Sequence, residues 1–202
     1  MAARRYKHDD IDKFHEFGLY VSDNTLYLGS HAYIDEDESG VDYLMSENLI
    51  KNLHILDYKK HDEGITIKMN NPGGCVYHGL AIYDAIRECQ NHITIVCYGF
   101  CMSMGSLIFQ AADTRVMSPN CRMMIHIGSD GFNGHAVDFQ KAAQEGADIA
   151  DIMKDIYLQK IKEVIPNFSK AKLSKMINND KFMGAQEAIE MGLCDRILER
   201  KT

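Results

Sequence analysis

One local plan occurs twice in succession in the middle of the chain, and it restricts the fold more than any other feature. Residues 65–69 are apolar and β-branched at alternate positions and read as a buried strand. Asn70-Asn71-Pro72-Gly73-Gly74 stops that strand, and a helical pattern follows over about 78–89. The order then repeats: 93–98 reads as a strand, 99–102 as a turn and 103–112 as a helix. Alternating strands and helices bury their apolar faces only by packing helices on a sheet, so the expectation is an α/β domain.

The flanking segments fit that plan. Upstream, 17–21 and 25–30 flank Asp23-Asn24 as an early hairpin, an acidic turn follows at 35–39, and 41–56 carries apolar residues at three- and four-residue steps. Downstream, strands are expected at 115–117 and 122–126, separated by Ser118-Pro119-Asn120. Beyond Gly128, Gly131 and Gly134, residues 135–164 hold no proline and form the longest helix candidate, which Pro166 ends. Two shorter helices, 169–177 and 185–191, lead to a closing strand at 195–198. At 202 residues the chain suits a single domain, 1–202, with 1–16 as an N-terminal segment.

Composition excludes several classes. A net charge of -7 argues against a phosphate-backbone partner, whose binding rests on clustered Lys and Arg, so no nucleic acid is expected. No apolar run approaches the roughly 20 residues of a membrane span, and the first residues lack a secretory signal, so the expectation is a cytoplasmic protein with no membrane partner. The six cysteines show neither CxxC pairs nor a metal-binding histidine motif, so they read as reduced thiols and neither metal nor cofactor is expected.

The chemistry concentrates at the second glycine turn. A serine hydroxyl attacks well only when a base takes its proton, and the base must be held in one tautomer by a third group. Ser103 sits at a strand-to-helix corner, in the manner of a nucleophile elbow although without the strict G-x-S-x-G spacing. Taken singly, Ser103 also reads as a helix N-cap, His126 as a hydrogen-bonded core histidine, and Asp180 as turn chemistry. Gly74, with no side chain over its own N-H, and Met104 offer two backbone donors to a developing oxyanion. A cysteine hydrolase using Cys101 fails on placement, because Cys101 precedes the corner that Ser103 occupies.

Four motifs in order, Asn70-Asn-Pro-Gly-Gly74, Ser103-Met-Gly105, Met124-Ile-His126 and Asp180-Lys-Phe-Met-Gly-Ala-Gln-Glu-Ala188, resemble the Clp protease proteolytic subunit (ClpP) family of serine peptidases. The resemblance runs from about Thr25 to the C-terminus and is strongest after Ile65. It implies the ClpP/crotonase-like fold of repeated strand-strand-helix units with a protruding handle helix at about 135–165. It also implies Ser103 as nucleophile, His126 as base, Asp180 as the orienting carboxylate, and the Gly74 and Met104 N-H groups as oxyanion hole. Substrate would add as a strand at Gly73, Cys75 and Val76 on one side and at Gly128 and Ser129 on the other.

The implied assembly is a homo-oligomer, a heptameric ring with two rings stacked through their handles. It would take peptides or unfolded proteins, fed by an ATP-dependent Clp unfoldase. The chain departs from the family pattern at Ile127-Gly128, where Gln-Pro is usual, at Asn179, where an Arg of the ring-to-ring contact is usual, and before Phe17, where the axial loop has no match. Such a form would suit a virus-encoded or accessory member. The competing readings are an inactive subunit that co-assembles with an active paralogue and a crotonase-fold acyl-CoA enzyme. The latter works with carboxylates beside the glycine turns, where this chain has no Glu.

Overall fold

The computed structural model describes residues 8–29, 40–58, 64–128 and 135–199. The acidic turn expected at 35–39, and Ser129, Gly131 and Gly134, lie outside them. Helix α1 (His8–Phe17) leads into β1 (Leu19–Tyr20), a single 3-10 turn (Val21–Asp23) and β2 (Thr25–Leu28). Then come α2 (Tyr43–Asp57), β3 (Ile65–Asn71), α3 (Val76–Glu88), β4 (Ile93–Met102) and α4 (Met104–Phe109). β5 (Thr114–Met117) and β6 (Arg122–Ile125) precede α5 (Ala136–Val164), and α6 (Lys170–Ile177), β7 (Lys181–Gly184), α7 (Ala185–Glu190) and β8 (Arg196–Ile197) follow.

The strands form one eight-stranded sheet in the order β1-β2-β3-β4-β5-β8, with β6 branching from β4 and carrying β7 at its other edge. β3 and β4 form its parallel centre, where Ile65, Ile67, Met69, Ile93 and Ile95 are buried at alternate positions. The early hairpin is present, since β1 and β2 pair antiparallel. Ahead of it lies α1, within the stretch expected only as an N-terminal segment. Phe14 fixes it by meeting Tyr20 and Tyr27 edge-on, with ring centroids 6.2 and 6.1 Å apart. No helix among the described residues is long and apolar enough to cross a membrane.

One expectation is corrected. Residues 99–102 are not a turn, because β4 continues to Met102 through a β-bulge. There the partner of β4 changes, from β5 for Thr94 to Cys97 to β6 for Phe100 to Met102. Gly99 makes this possible: its φ is 57°, and Asn70 fills the space beside it and accepts the Phe100 N-H at 3.2 Å. The segment after Asp180, to which the sequence pattern assigns no element, is a strand. It forms β7, antiparallel to β6.

Helix α5 runs about 44 Å at 1.5 Å per residue. Its second half packs into the core through Met153, Tyr157 and Ile161, whereas Asp138 to Gln140 and Ala143 to Glu145 in its first half are exposed.

Candidate active site

Ser103 stands where the bulged end of β4 meets α4. Its φ of 50° and ψ of -126° are unusual for a residue with a side chain, a conformation costing about 1–3 kcal/mol that persists only where its surroundings impose it. Those surroundings are hydrogen bonds: the Ser103 N-H donates to Met124 O at 2.9 Å, and its carbonyl accepts from the Ser106 and Leu107 N-H groups at 2.9 and 3.2 Å. The side chain makes no capping hydrogen bond, so Ser103 does not act as the N-cap its position suggests. Its hydroxyl is left to face His126.

Register brings the remaining two groups together. Met102 pairs with Met124 in the parallel β4-β6 ladder, which sets Ser103 beside the end of β6. Ile125 pairs with Lys181 across the antiparallel β6-β7 ladder, so His126 and Asp180 meet one step beyond it. His126 Nε2 lies 2.7 Å from Ser103 Oγ, and His126 Nδ1 lies 3.1 Å from Asp180 Oδ1. The imidazole is largely covered, at 23% side-chain exposure, while the Asp180 carboxylate is 56% exposed. All three residues read from the sequence therefore converge in one hydrogen-bonded chain.

That chain opens into a cavity of about 760 Å³. Gly74, Ser103, Met104 and His126 line one part of it, and small residues of α5, among them Ala142, Ala143 and Gly146, line another. Neither the Gly74 nor the Met104 N-H has an acceptor among the described residues, and both residues reach the cavity wall. Gly73 is needed where it is: its φ is 106°, and a Cβ there would fall 3.0 Å from the Met104 nitrogen, against Ser103 itself.

The substrate contacts expected along the glycine turn are disposed differently. Gly73 is buried, its N-H donating to Asn71 Oδ1 at 2.8 Å and its carbonyl accepting from Val41 at 2.5 Å. The Cys75 N-H goes to Val41 O at 2.7 Å, and Val76 already belongs to α3. Val41 thus occupies the edge on which a peptide was expected to pair, although Cys75 and Val76 still line the cavity. On the opposite side Ile127 and Gly128 line the cavity with no main-chain partner among the described residues. Ser129 lies outside those residues.

Cys101 is fully buried, and burial pushes its thiol well above the usual range, so it offers no nucleophile. Among the described residues no group of three or more His, Cys, Asp or Glu is placed to hold a metal ion. The wall formed by α5 was missed in the sequence. Its available signal was the small residues Ala142, Ala143, Gly146 and Ala150 at helical spacing, which alone read as an unremarkable helix face.

The family model described as Clp protease matches residues 34–201. The ATP-dependent Clp protease proteolytic subunit of Deinococcus radiodurans is 35% identical over 162 residues, covering 79% of this chain and 77% of that protein. The family match takes in the Asn70–Gly74 segment and all three residues of the hydrogen-bonded chain. The chain belongs to the Clp protease family and is a serine-type endopeptidase.

Proposed function

We propose that Ser103, His126 and Asp180 form the catalytic triad of a self-compartmentalising peptidase. The reading rests on the continuous contact from Ser103 Oγ through both His126 ring nitrogens to Asp180. Asp180 holds the proton on Nδ1, which leaves the Nε2 lone pair aimed at the serine hydroxyl. Ser103 Oγ attacks the peptide carbonyl as its proton passes to Nε2, and the carbonyl oxygen gains charge between the Gly74 and Met104 N-H groups. Each such donor contributes about 3 kcal/mol in the transition state. The same proton then moves to the leaving amine, and water repeats the sequence to release the acyl group.

The peptide lies between the α5 wall and the Ile127-Gly128 segment, pairing its backbone with the latter by strand addition. Family membership supports a ring-forming oligomer that works with Clp ATPases. For this chain we take the form to be a heptameric ring, in the cytoplasm, receiving unfolded polypeptide from an unfoldase. The intact contacts among the three side chains speak against the inactive-subunit reading. A crotonase-type acyl-CoA chemistry is disfavoured because no Asp or Glu lines the cavity among the described residues.

Ser103→Ala tests the assignment: turnover of a short fluorogenic peptide should fall about a million-fold, the scale seen when a triad nucleophile is removed. Turnover unchanged in a preparation free of host peptidases would reject it.

A further inference from the structure

The backbone that presents Ser103 is held by more than its own helix. Ser106 is fully buried in α4, and its hydroxyl donates to the Ser103 carbonyl at 2.7 Å. That hydroxyl also lies 2.7 Å from the phenol oxygen of Tyr157, a fully buried residue on α5. The same phenol stands 3.5 Å from the Ser103 carbonyl. A hydroxyl that gives its proton to one partner takes its other hydrogen bond as an acceptor, so the consistent order is Tyr157 O-H to Ser106 Oγ-H to the carbonyl of Ser103. Burial pushes the Tyr157 phenol well above its usual range, which keeps it protonated and able to donate.

A serine in a helix commonly bonds back to a carbonyl one turn earlier, and a buried tyrosine commonly finds some partner for its hydroxyl. Two features take this pair beyond such routine satisfaction. The carbonyl at its end belongs to Ser103, which alone with Asn24 combines a side chain and a positive φ among the described residues. The donor at its start sits on α5, the helix whose earlier residues Ala142, Ala143 and Gly146 wall the cavity. Hydrogen bonds in series also strengthen one another in a dry interior.

We infer that Tyr157 and Ser106 are positioning residues: their hydroxyl chain fixes the Ser103 carbonyl, and with it the backbone conformation that points Ser103 Oγ at His126. Neither touches substrate. Loss of the chain lets the Ser103 peptide relax toward a negative φ and carries Oγ out of line with Nε2, so the chemical step slows while the groove that binds peptide is unchanged. This inference rests on Ser103 as the nucleophile.

The experiment compares wild type, Tyr157→Phe, Ser106→Ala and the double variant of the full chain. It measures kcat and KM for a fluorogenic peptide and the second-order rate of labelling by a fluorophosphonate, with the folded fraction fixed by circular dichroism. Tyr157→Phe removes one oxygen and keeps the ring, so it decides the matter even where Ser106→Ala folds poorly. The expected result is a kcat and a labelling rate each lowered about tenfold in Tyr157→Phe, KM within twofold of wild type, and a double variant no slower than Ser106→Ala. Wild-type kcat and labelling in Tyr157→Phe, a change confined to KM, or effects that multiply in the double variant would overturn the inference. Failure of the wild type to label at Ser103 would instead overturn the nucleophile assignment on which it rests.

Discussion

Arg115 offers the sharpest test of the fold's energetics, because its guanidinium is almost wholly withdrawn from water. The side chain is 5% exposed, and Asp195 meets it with both oxygens: Oδ1 accepts from Nη2 at 2.6 Å and Oδ2 from Nε at 3.2 Å. Oδ2 also accepts the Arg115 backbone N-H at 2.6 Å. Nη1 donates to Gln110 Oε1 and to the Gly192 carbonyl, at 2.7 and 2.8 Å. Removing Asp195 therefore leaves a buried cation with neutral acceptors only. Breaking one side of a buried pair costs about 3–5 kcal/mol, and the lower figure applies because the Asp195 side chain is 37% exposed. For a chain of this size about 3 kcal/mol lowers Tm by roughly 6–12 °C. Urea unfolding of Asp195→Ala, followed by circular dichroism at one fixed protomer concentration so that assembly contributes equally, measures the loss. Asp195→Asn keeps an oxygen acceptor and should lose about half as much. A loss below about 1 kcal/mol in Asp195→Ala, the range of exposed ion pairs, would refute the claim that the guanidinium is out of reach of water.

Two further outcomes follow from single residues. Burial pushes the Asp57 carboxyl up, but hydrogen bonds from the Asn91 side chain and from the Asn91 and Gln90 N-H groups outweigh it and hold the group below the usual carboxylate range. With the folded value depressed, the stabilisation is complete above the unfolded value of about 3.9 and fades as pH falls through the lower folded value. The stability gap between wild type and Asp57→Asn should accordingly be constant at neutral pH and close in acid, and a gap that widens on acidification would contradict this. Gly146 lies within α5 and lines the cavity, and a Cβ there would meet nothing within 4 Å. Gly146→Ala should gain up to about 1 kcal/mol from helix propensity. Gly146→Leu should slow cleavage beside a bulky aromatic residue more than beside alanine, and an unaltered ratio would remove this position from the groove.

The sequence carried the central strands and the three polar groups because each left a local mark. Residues 65–69 alternate, Asn70 to Gly74 interrupt, and Ser103, His126 and Asp180 belong to motifs legible in order. What it did not carry depends on partners distant along the chain. Gly99 looks like a turn until Asn70 is seen filling the bulge beside it, and Lys181 to Gly184 becomes a strand only because β6 presents an edge. Nothing local announces, either, that Val41 pairs with the Gly73-Cys75 backbone. Tyr157 and Ser106 are 51 residues apart and meet only once α5 lies across α4.

Whether the Ser103 oxygen becomes covalently bonded through the action of His126 is decided by peptide mapping after fluorophosphonate treatment of wild type and His126→Ala. The account requires the adduct on Ser103 in the wild type and a labelling rate reduced by several orders of magnitude in the variant. An adduct on another residue, or equal rates in both proteins, would contradict it.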